Sequence, residues 1–326
     1  NAKMTPNARR KTLARGVSIM SRKIVVTGAG GFVAGSILAQ AGADTELHAV
    51  TRGKPLLERP GIVWHAVDPG DGTPVAGLIQ ALRPDAVIHT AAIADIDYCE
   101  AHRDEAERVN VAYTRAVARA CADTGARLVH CSTDTVFDGE TGLYPEDAPV
   151  HPLNFYGETK VRAEQEVRAA LGNAVVARVS LVMGLPVLGV GNSFLAKMIA
   201  AFKEGREVGV PPNEIRSAVD VATLGLALLE LAGHSFTGTM HLSGNDRQSR
   251  VDLVRRVARH LGYPESLVVP KDPGNIPGRA PRPRDVSLDN TLARRTLATP
   301  MAGTEEGLDR VLALERKTRR GAQDPV

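Results

Sequence analysis

Lys23-Ile24-Val25-Val26-Thr27-Gly28-Ala29-Gly30-Gly31-Phe32-Val33-Ala34-Gly35 is the stretch that decides the fold. Its first five residues form a short apolar, β-branched run, which reads as a buried strand. The glycines read as a tight turn, and Ser36-Ile37-Leu38-Ala39 continues as a helix. In a strand–turn–helix unit, glycines let the backbone approach a pyrophosphate, and the helix N-terminus offers it free N–H groups. The spacing is Gly28-x-x-Gly31-x-x-Ala34 rather than G-x-G-x-x-G, with Ala34 as the small residue for helix–strand packing. The unit predicts dinucleotide binding at Gly28, Gly31, Phe32 and Val33.

Outward from this unit, strand and helix patterns alternate. Glu46 to Thr51 reads as the second strand, and Thr51-Arg52 stands where an NAD site usually carries an acid for the ribose hydroxyls. A guanidinium there favours the 2′-phosphate of NADP; a solvated loop arginine is the plainer alternative. Ile62 to Asp68 reads as a third strand. Asp68 is a candidate for the adenine amino group, against a loop carboxylate with no role, and His65 reads as packing. Ala76 to Leu82 reads as a helix, and Ala86 to Ala92 as a fourth strand whose small residues Ala91 and Ala92 leave room for a cofactor. Asp104 to Thr124 reads as one long helix containing Asn110 and Tyr113, closed by Gly125 as a C-cap. Arg127 to Cys131 is the fifth strand, followed by Ser132-Thr133-Asp134. In a parallel sheet the chemistry lies beyond the carboxyl ends of the strands. Thr133 then stands where its hydroxyl can meet a substrate carbonyl, a turn or N-cap being the alternative.

Asn154-Phe155-Tyr156-Gly157-Glu158-Thr159-Lys160 opens a further helix. Tyr156 and Lys160 are four apart and share a face. A nearby cation favours phenolate, so Lys160 is expected to lower the Tyr156 pKa. A tyrosine tuned in this way exchanges a proton with a carbonyl or an alcohol oxygen.

After the sixth strand, Ala174 to Val179, the alternation loosens. Gly184 to Gly191 reads as a loop, Asn192 to Lys203 as a helix, and Gly238 to Gly244 as a last strand. Val251 to Leu261 is an amphipathic helix, and Lys271 to Arg284 is a Pro- and Arg-rich loop placed over a substrate cleft. Arg282 is a candidate for a substrate phosphate, a structural arginine being the alternative. The expected architecture is α/β: a doubly wound, Rossmann-type parallel sheet over 21–180, with a small discontinuous substrate lobe over 181–326. Parts of 214–245 return to the main domain.

The chain has 326 residues, 43% hydrophobic and 24% charged, with a net charge of +3. This is the composition of a globular protein. The positive excess sits at the ends, in Lys3, Arg9, Arg10, Lys11, Arg15, Arg22 and Lys23, and in Arg316, Lys317, Arg319 and Arg320. Such tails read as solvated and disordered, and no basic stripe continues inward, so nucleic-acid binding is not expected. Residues 1–20 read as a disordered basic leader or a remnant of cloning, with Met20 a candidate start and a transit peptide the lesser reading. Cys99, Cys121 and Cys131 form no Cys-x-x-Cys, which points to a reducing cytoplasmic compartment and no metal site. No run of 18 apolar residues spans a membrane.

The segments Ser132 to Gly139, Pro152 to Lys160 and Arg282-Pro283-Arg284-Asp285-Val286-Ser287-Leu288-Asp289 together resemble the extended short-chain dehydrogenase/reductase superfamily. Within it the chain is similar to the dTDP-4-dehydrorhamnose reductase branch, over roughly 21 to 297. The resemblance implies a catalytic Thr133, Tyr156 and Lys160, the last two also touching the cofactor, and NADPH-dependent reduction of a keto group on a nucleotide-activated deoxysugar. NAD is the less expected cofactor, and a homodimer is compatible with the branch. Thr135 stands where the branch often has Tyr, and Leu181 where it has a pocket Trp. With Met183, these are expected to make the sugar pocket larger or less polar. Two other readings stay open: a sugar-nucleotide epimerase or dehydratase, and a non-catalytic NADP-binding partner similar to the methionine adenosyltransferase regulatory subunit.

Overall fold

Apolar runs without alternation make strands that must be covered on both faces, which favours a parallel sheet between helical layers. The computed structural model describes residues 22–53, 61–188, 193–272 and 279–323. The leader 1–20 and parts of the expected loops 184–191 and 271–284 lie outside the described residues.

The first half runs β1 Arg22–Thr27, α1 Phe32–Gln40, β2 Thr45–Thr51, β3 Ile62–Ala66, α2 Thr73–Leu82 and β4 Ala86–His89. Then come three helical pieces, α3 Ile96–Ala101, α4 Arg103–Ala106 and α5 Tyr113–Thr124, followed by β5 Arg127–Thr133, α6 Phe155–Ala170 and β6 Ala174–Val179. The second half runs β7 Val182–Met183, α7 Phe194–Lys203, β8 Val208–Val210, β9 Ile215–Arg216, β10 Val219–Asp220, α8 Val221–Gly233, β11 Gly238–Leu242 and β12 Gln248–Ser249. It ends with α9 Arg250–His260, β13 Val268–Pro270, α10 Thr291–Thr296 and α11 Thr304–Gln323.

Seven strands form one parallel sheet in the order β11-β6-β5-β4-β1-β2-β3. Successive side chains on a strand point to opposite faces. Ile24, Val26, Ile88 and Val129 meet Ile37 of α1 and Leu224 and Leu228 of α8 on one face. Val25, Val87 and Leu128 meet Ile79 of α2 and Val117 and Cys121 of α5 on the other. Each fully buried aliphatic side chain is worth about 1.5–3 kcal/mol. Strand order reverses between β1 and β4, and a crevice opens at such a reversal, beyond the carboxyl ends.

The second half crosses back: β11 adds to the main sheet, and Ser36 Oγ of α1 donates to the Val221 carbonyl of α8 at 2.7 Å. The rest makes a lobe of two-stranded ribbons, β10 with β7, β12 with β9 and β13 with β8. Its core gathers Leu195, Phe202, Val254 and Leu308.

Several expectations are corrected here. The helix expected over 104–124 is continuous from α4 into α5, though not regular. His102 leaves helical geometry between α3 and α4, and Glu107–Ala112 winds as a π-turn before α5. The third strand ends at Ala66, and the fourth ends at His89 rather than Ala92. The carboxy-terminal bases Arg316, Lys317 and Arg319 do not lie in a disordered tail. They continue α11, because Leu308, Val311, Leu314 and Thr318 bury one helical stripe. Met183 is 1% exposed and packs inside the lobe core.

Candidate active site

The crevice at the strand reversal has two ends of different construction. One end is a cleft of about 280 Å³ lined by Gly28, Gly30, Gly31, Thr51, Arg52 and Ala91, among others. Gly28 has φ +70°, and a Cβ there would lie 2.7 Å from the Ala91 Cα and N atoms. The lips of β1 and β4 therefore close over a position that only glycine fills without strain. Thr90 Oγ1 donates to the Thr27 carbonyl at 2.7 Å and ties the lips together. The first turn of α1 has no side-chain cap and no acidic residue, so its N–H groups stay available to an anion. Uncapped amides, a cradle without side chains and an arginine at the end of β2 suit a dinucleotide carrying phosphate on its ribose.

Of the remaining residues expected at the cofactor, Ala92 also lines the cleft. Phe32 instead lies against the lobe core, and Val33 packs on the main core. Asp68 is not among the cleft residues; it is exposed and accepts from the Gly70 N–H at 3.0 Å.

The other end is crowded with buried polar side chains. Thr133 closes β5, and its hydroxyl lies 3.2 Å from Asp134 Oδ1 and 3.0 Å from Thr135 Oγ1. Burial pushes the Asp134 carboxyl up, against the pull of Arg216 and of hydrogen bonds from Thr133 and Ser180. Helix α6 starts at Asn154, whose side chain accepts from the Gly157 N–H at 2.9 Å and donates to the Pro281 carbonyl at 3.0 Å. Gly157 allows the close approach of α6 to the end of β5. A Cβ there would lie 2.5 Å from the Thr135 carbonyl oxygen.

Tyr156 and Lys160 are 8% and 2% exposed, on the buried side of α6. The expectation that Lys160 lowers the Tyr156 pKa is overturned. Burial pushes the phenol up, opposed by its hydrogen bond with Thr133. The ammonium is turned to β5, where Nζ donates to the Cys131 carbonyl at 2.7 Å. Burial lowers Lys160 to about 8, opposed by Cys131 and Glu164.

Two residues of this corner were given no role from the sequence. Asn110, fully buried in the π-turn, binds both the N–H and the carbonyl of Ile93 and donates to Thr159 Oγ1 at 3.0 Å. It joins the cleft wall to the turn of α6 between Tyr156 and Lys160. An asparagine flanked by valines inside a helix was the available signal, since such residues favour caps and turns. Glu164 accepts from Ser132 Oγ at 2.6 Å and takes the Arg178 fork at 3.0 and 2.9 Å. It thereby fixes α6 against the ends of β5 and β6. Its signal was the i+4 spacing after Lys160.

The two remaining substrate candidates adjoin this corner through the backbone: Leu181 hydrogen-bonds Asp134, and Pro281, next to Arg282, accepts from Asn154. Leu181 is half-buried against the lobe core. The Arg282 fork holds Asp97 of α3 at 2.9 Å through both nitrogens. Among the described residues no cluster of ligating side chains could hold a metal, and no helix is long and apolar enough to cross a membrane.

The RmlD substrate binding domain family matches residues 22–316. A dTDP-4-dehydrorhamnose reductase of Mycobacterium tuberculosis is 31% identical over 90% of this chain and 93% of its own length. Methionine adenosyltransferase 2 subunit beta of Xenopus laevis is 29% identical over 84% of this chain and 82% of its own. The crystal structure of dTDP-4-dehydrorhamnose reductase from Bacillus anthracis in complex with NADP superposes with a TM-score of 0.80 at 27% identity. That superposition covers 90% of this chain and 99% of the other. A match across nearly the whole chain, on a parallel sheet with the Thr133, Tyr156 and Lys160 arrangement beside its crevice, makes this chain a member of the RmlD substrate binding domain family.

Proposed function

We propose that this protein is an NADPH-dependent reductase of a keto group on a nucleotide-activated deoxysugar, with dTDP as the expected nucleotide. The observation that carries the reading is the pairing of the side-chain-free cradle at Gly28 with buried Thr133, Tyr156 and Lys160 in a chain of this family. Bound NADPH supplies the hydride that reaches the carbonyl carbon. Tyr156 gives its phenolic proton to the carbonyl oxygen, which completes the alcohol, and regains a proton from solvent. Burial keeps that phenol protonated at neutral pH, so the donor form is the resting form. Thr133 turns its one O–H from Asp134 Oδ1 to the same oxygen, while Thr135 stays beside the hydroxyl. Lys160 presents its ammonium beside the end of β5, where a cofactor ribose would accept from it. Arg52 favours the 2′-phosphate and hence NADP over NAD. Leu181 would shape the sugar side of the pocket and Arg282 a substrate phosphate, after giving up Asp97.

The proposed compartment is the cytoplasm, in keeping with three free cysteines. Tight retention of NAD, as an epimerase or dehydratase needs, is not supported by Thr51-Arg52 at the end of β2.

The test is NADPH oxidation with dTDP-, UDP- and GDP-linked 4-keto-6-deoxysugars, dTDP-4-dehydrorhamnose included, on wild type and Tyr156→Phe. Wild type turns over at least one dTDP substrate, and Tyr156→Phe loses about 10²–10⁴-fold in turnover while binding NADPH equally well. Near wild-type turnover by Tyr156→Phe overturns the catalytic assignment. NADPH binding without reduction of any keto-sugar selects the partner-protein reading instead.

A further inference from the structure

Three adjacent strands bring a polar row to one level of the sheet. In the parallel register Thr27 of β1 stands opposite His89 of β4, and His89 stands opposite His130 of β5. Each follows by two residues an apolar residue of the α2/α5 face, namely Val25, Val87 and Leu128. The strand period of two therefore turns all three side chains to that face. Each also stands one residue before a group that borders the site, namely Gly28, Thr90 and Cys131.

The row is continuous. Thr27 Oγ1 lies 2.6 Å from His89 Nδ1, and His89 Nε2 lies 3.0 Å from Thr114 Oγ1. The His89 and His130 rings stack at 5.3 Å and 28°. His130 Nε2 lies 3.4 Å from Lys160 Nζ. None of these side chains is more than 2% exposed.

We propose that His130 is a positioning residue for the reduction: its neutral imidazole accepts a hydrogen bond from Lys160 Nζ and, backed by the His89 ring, holds that ammonium charged and aimed at the end of β5. The inference rests on the reading in which Lys160 serves the cofactor. An ammonium has three N–H donors. Cys131 and His130 take two, which leaves one for the cleft.

An imidazolium could not accept this bond, and the site forbids one. Burial, then the charge of Lys160, hold His130 well below its ordinary value, and the same causes bring His89 to about 3. Acceptance at Nε2 puts the ring proton on Nδ1, which has no hydrogen-bond partner among the described residues. A buried donor left unmade is a cost that calls for a reason, and holding Lys160 supplies one. The groups facing Lys160 are His130 and Cys131 from β5, His89 from β4, and Tyr156 and Glu164 from α6. Burial pushes the Cys131 thiol up to about 12 and raises Tyr156, while Glu164 is held low despite burial by Arg178 and Ser132. Lys160 is thus the one of these groups that titrates just above neutrality.

The experiment is NADPH affinity by fluorescence across the neutral and alkaline range, for wild type, His130→Leu, His130→Gln and Lys160→Met. Wild-type affinity falls as Lys160 loses its proton. In His130→Leu the charged lysine loses an acceptor, so the midpoint moves down by about one pH unit. His130→Gln keeps an acceptor and restores the midpoint. Should His130→Leu fail to fold, His130→Asn, with an amide too short to reach, carries the same expectation. An unmoved midpoint in these variants, with Lys160→Met showing weak and pH-flat binding, overturns the role of His130 and leaves that of Lys160 standing. A wild-type profile in Lys160→Met overturns the reading of Lys160 itself.

Discussion

The two ends of the crevice are opposites in construction. The cofactor end keeps side chains small at its turn, where Gly28, Gly30, Gly31, Ala91 and Ala92 border the cleft. The chemical end is made of surplus ones, with Thr133, Asp134, Tyr156, Lys160 and Glu164 all under 9% exposed. A cradle of backbone binds by shape and dipole, and tolerates little added bulk. A crowded polar corner holds by pairing, and pays heavily for a group left alone. The first should therefore fail in cofactor affinity, and the second in stability and turnover.

The sharpest way to break this contrast is Glu164→Ala. It leaves the Arg178 guanidinium, 4% exposed, without its carboxylate. Removing one partner of a buried pair costs about 3–5 kcal/mol. Urea unfolding should show that loss, and an effect under about 1 kcal/mol would mean that the corner is not held by its ion pair.

Arg52→Ala comes next and acts at the opposite end. It should weaken NADPH binding by about 1.5–3 kcal/mol, the worth of a hydrogen bond to a charged group. NADH affinity and the unfolding midpoint should stay put. Calorimetry with both cofactors is the check, and equal wild-type affinity for the two would remove Arg52 from the 2′-phosphate.

Gly28→Ala should cost less stability than Glu164→Ala, about 1–2 kcal/mol for a side chain in left-handed backbone. Its Cβ would also part the β1 and β4 lips, so NADPH affinity should drop by more than stability does. If Gly28→Ala unfolds the protein more readily than Glu164→Ala, the contrast between the two ends is wrong.

The cradle was legible because it is local. A strand, its glycines and the start of α1 are contiguous, and the backbone constraints that select glycine act within that stretch. The pairing of Tyr156 with Lys160 on one face was legible for the same reason, since helical spacing alone supplies it. The electrostatic consequence was not. Proximity on a helix suggested a lowered tyrosine, yet desolvation acts on the folded whole and raised it. The role of Asn110 was not readable because its partners, Ile93 and Thr159, lie 17 and 49 positions away.

By itself the sequence determined the alternation of β1 to β6 with their helices, the glycine turn at Gly28, and the candidates Thr133, Tyr156 and Lys160. These follow from local propensity, side-chain period and turn chemistry, all written within a few residues. Only the tertiary structure decided which way those groups face and what state they rest in. It turned Lys160 toward the Cys131 carbonyl and His130, tied Arg282 to Asp97, and folded the basic tail into α11. Burial and long-range pairing make these choices, and neither has a signature in a linear chain.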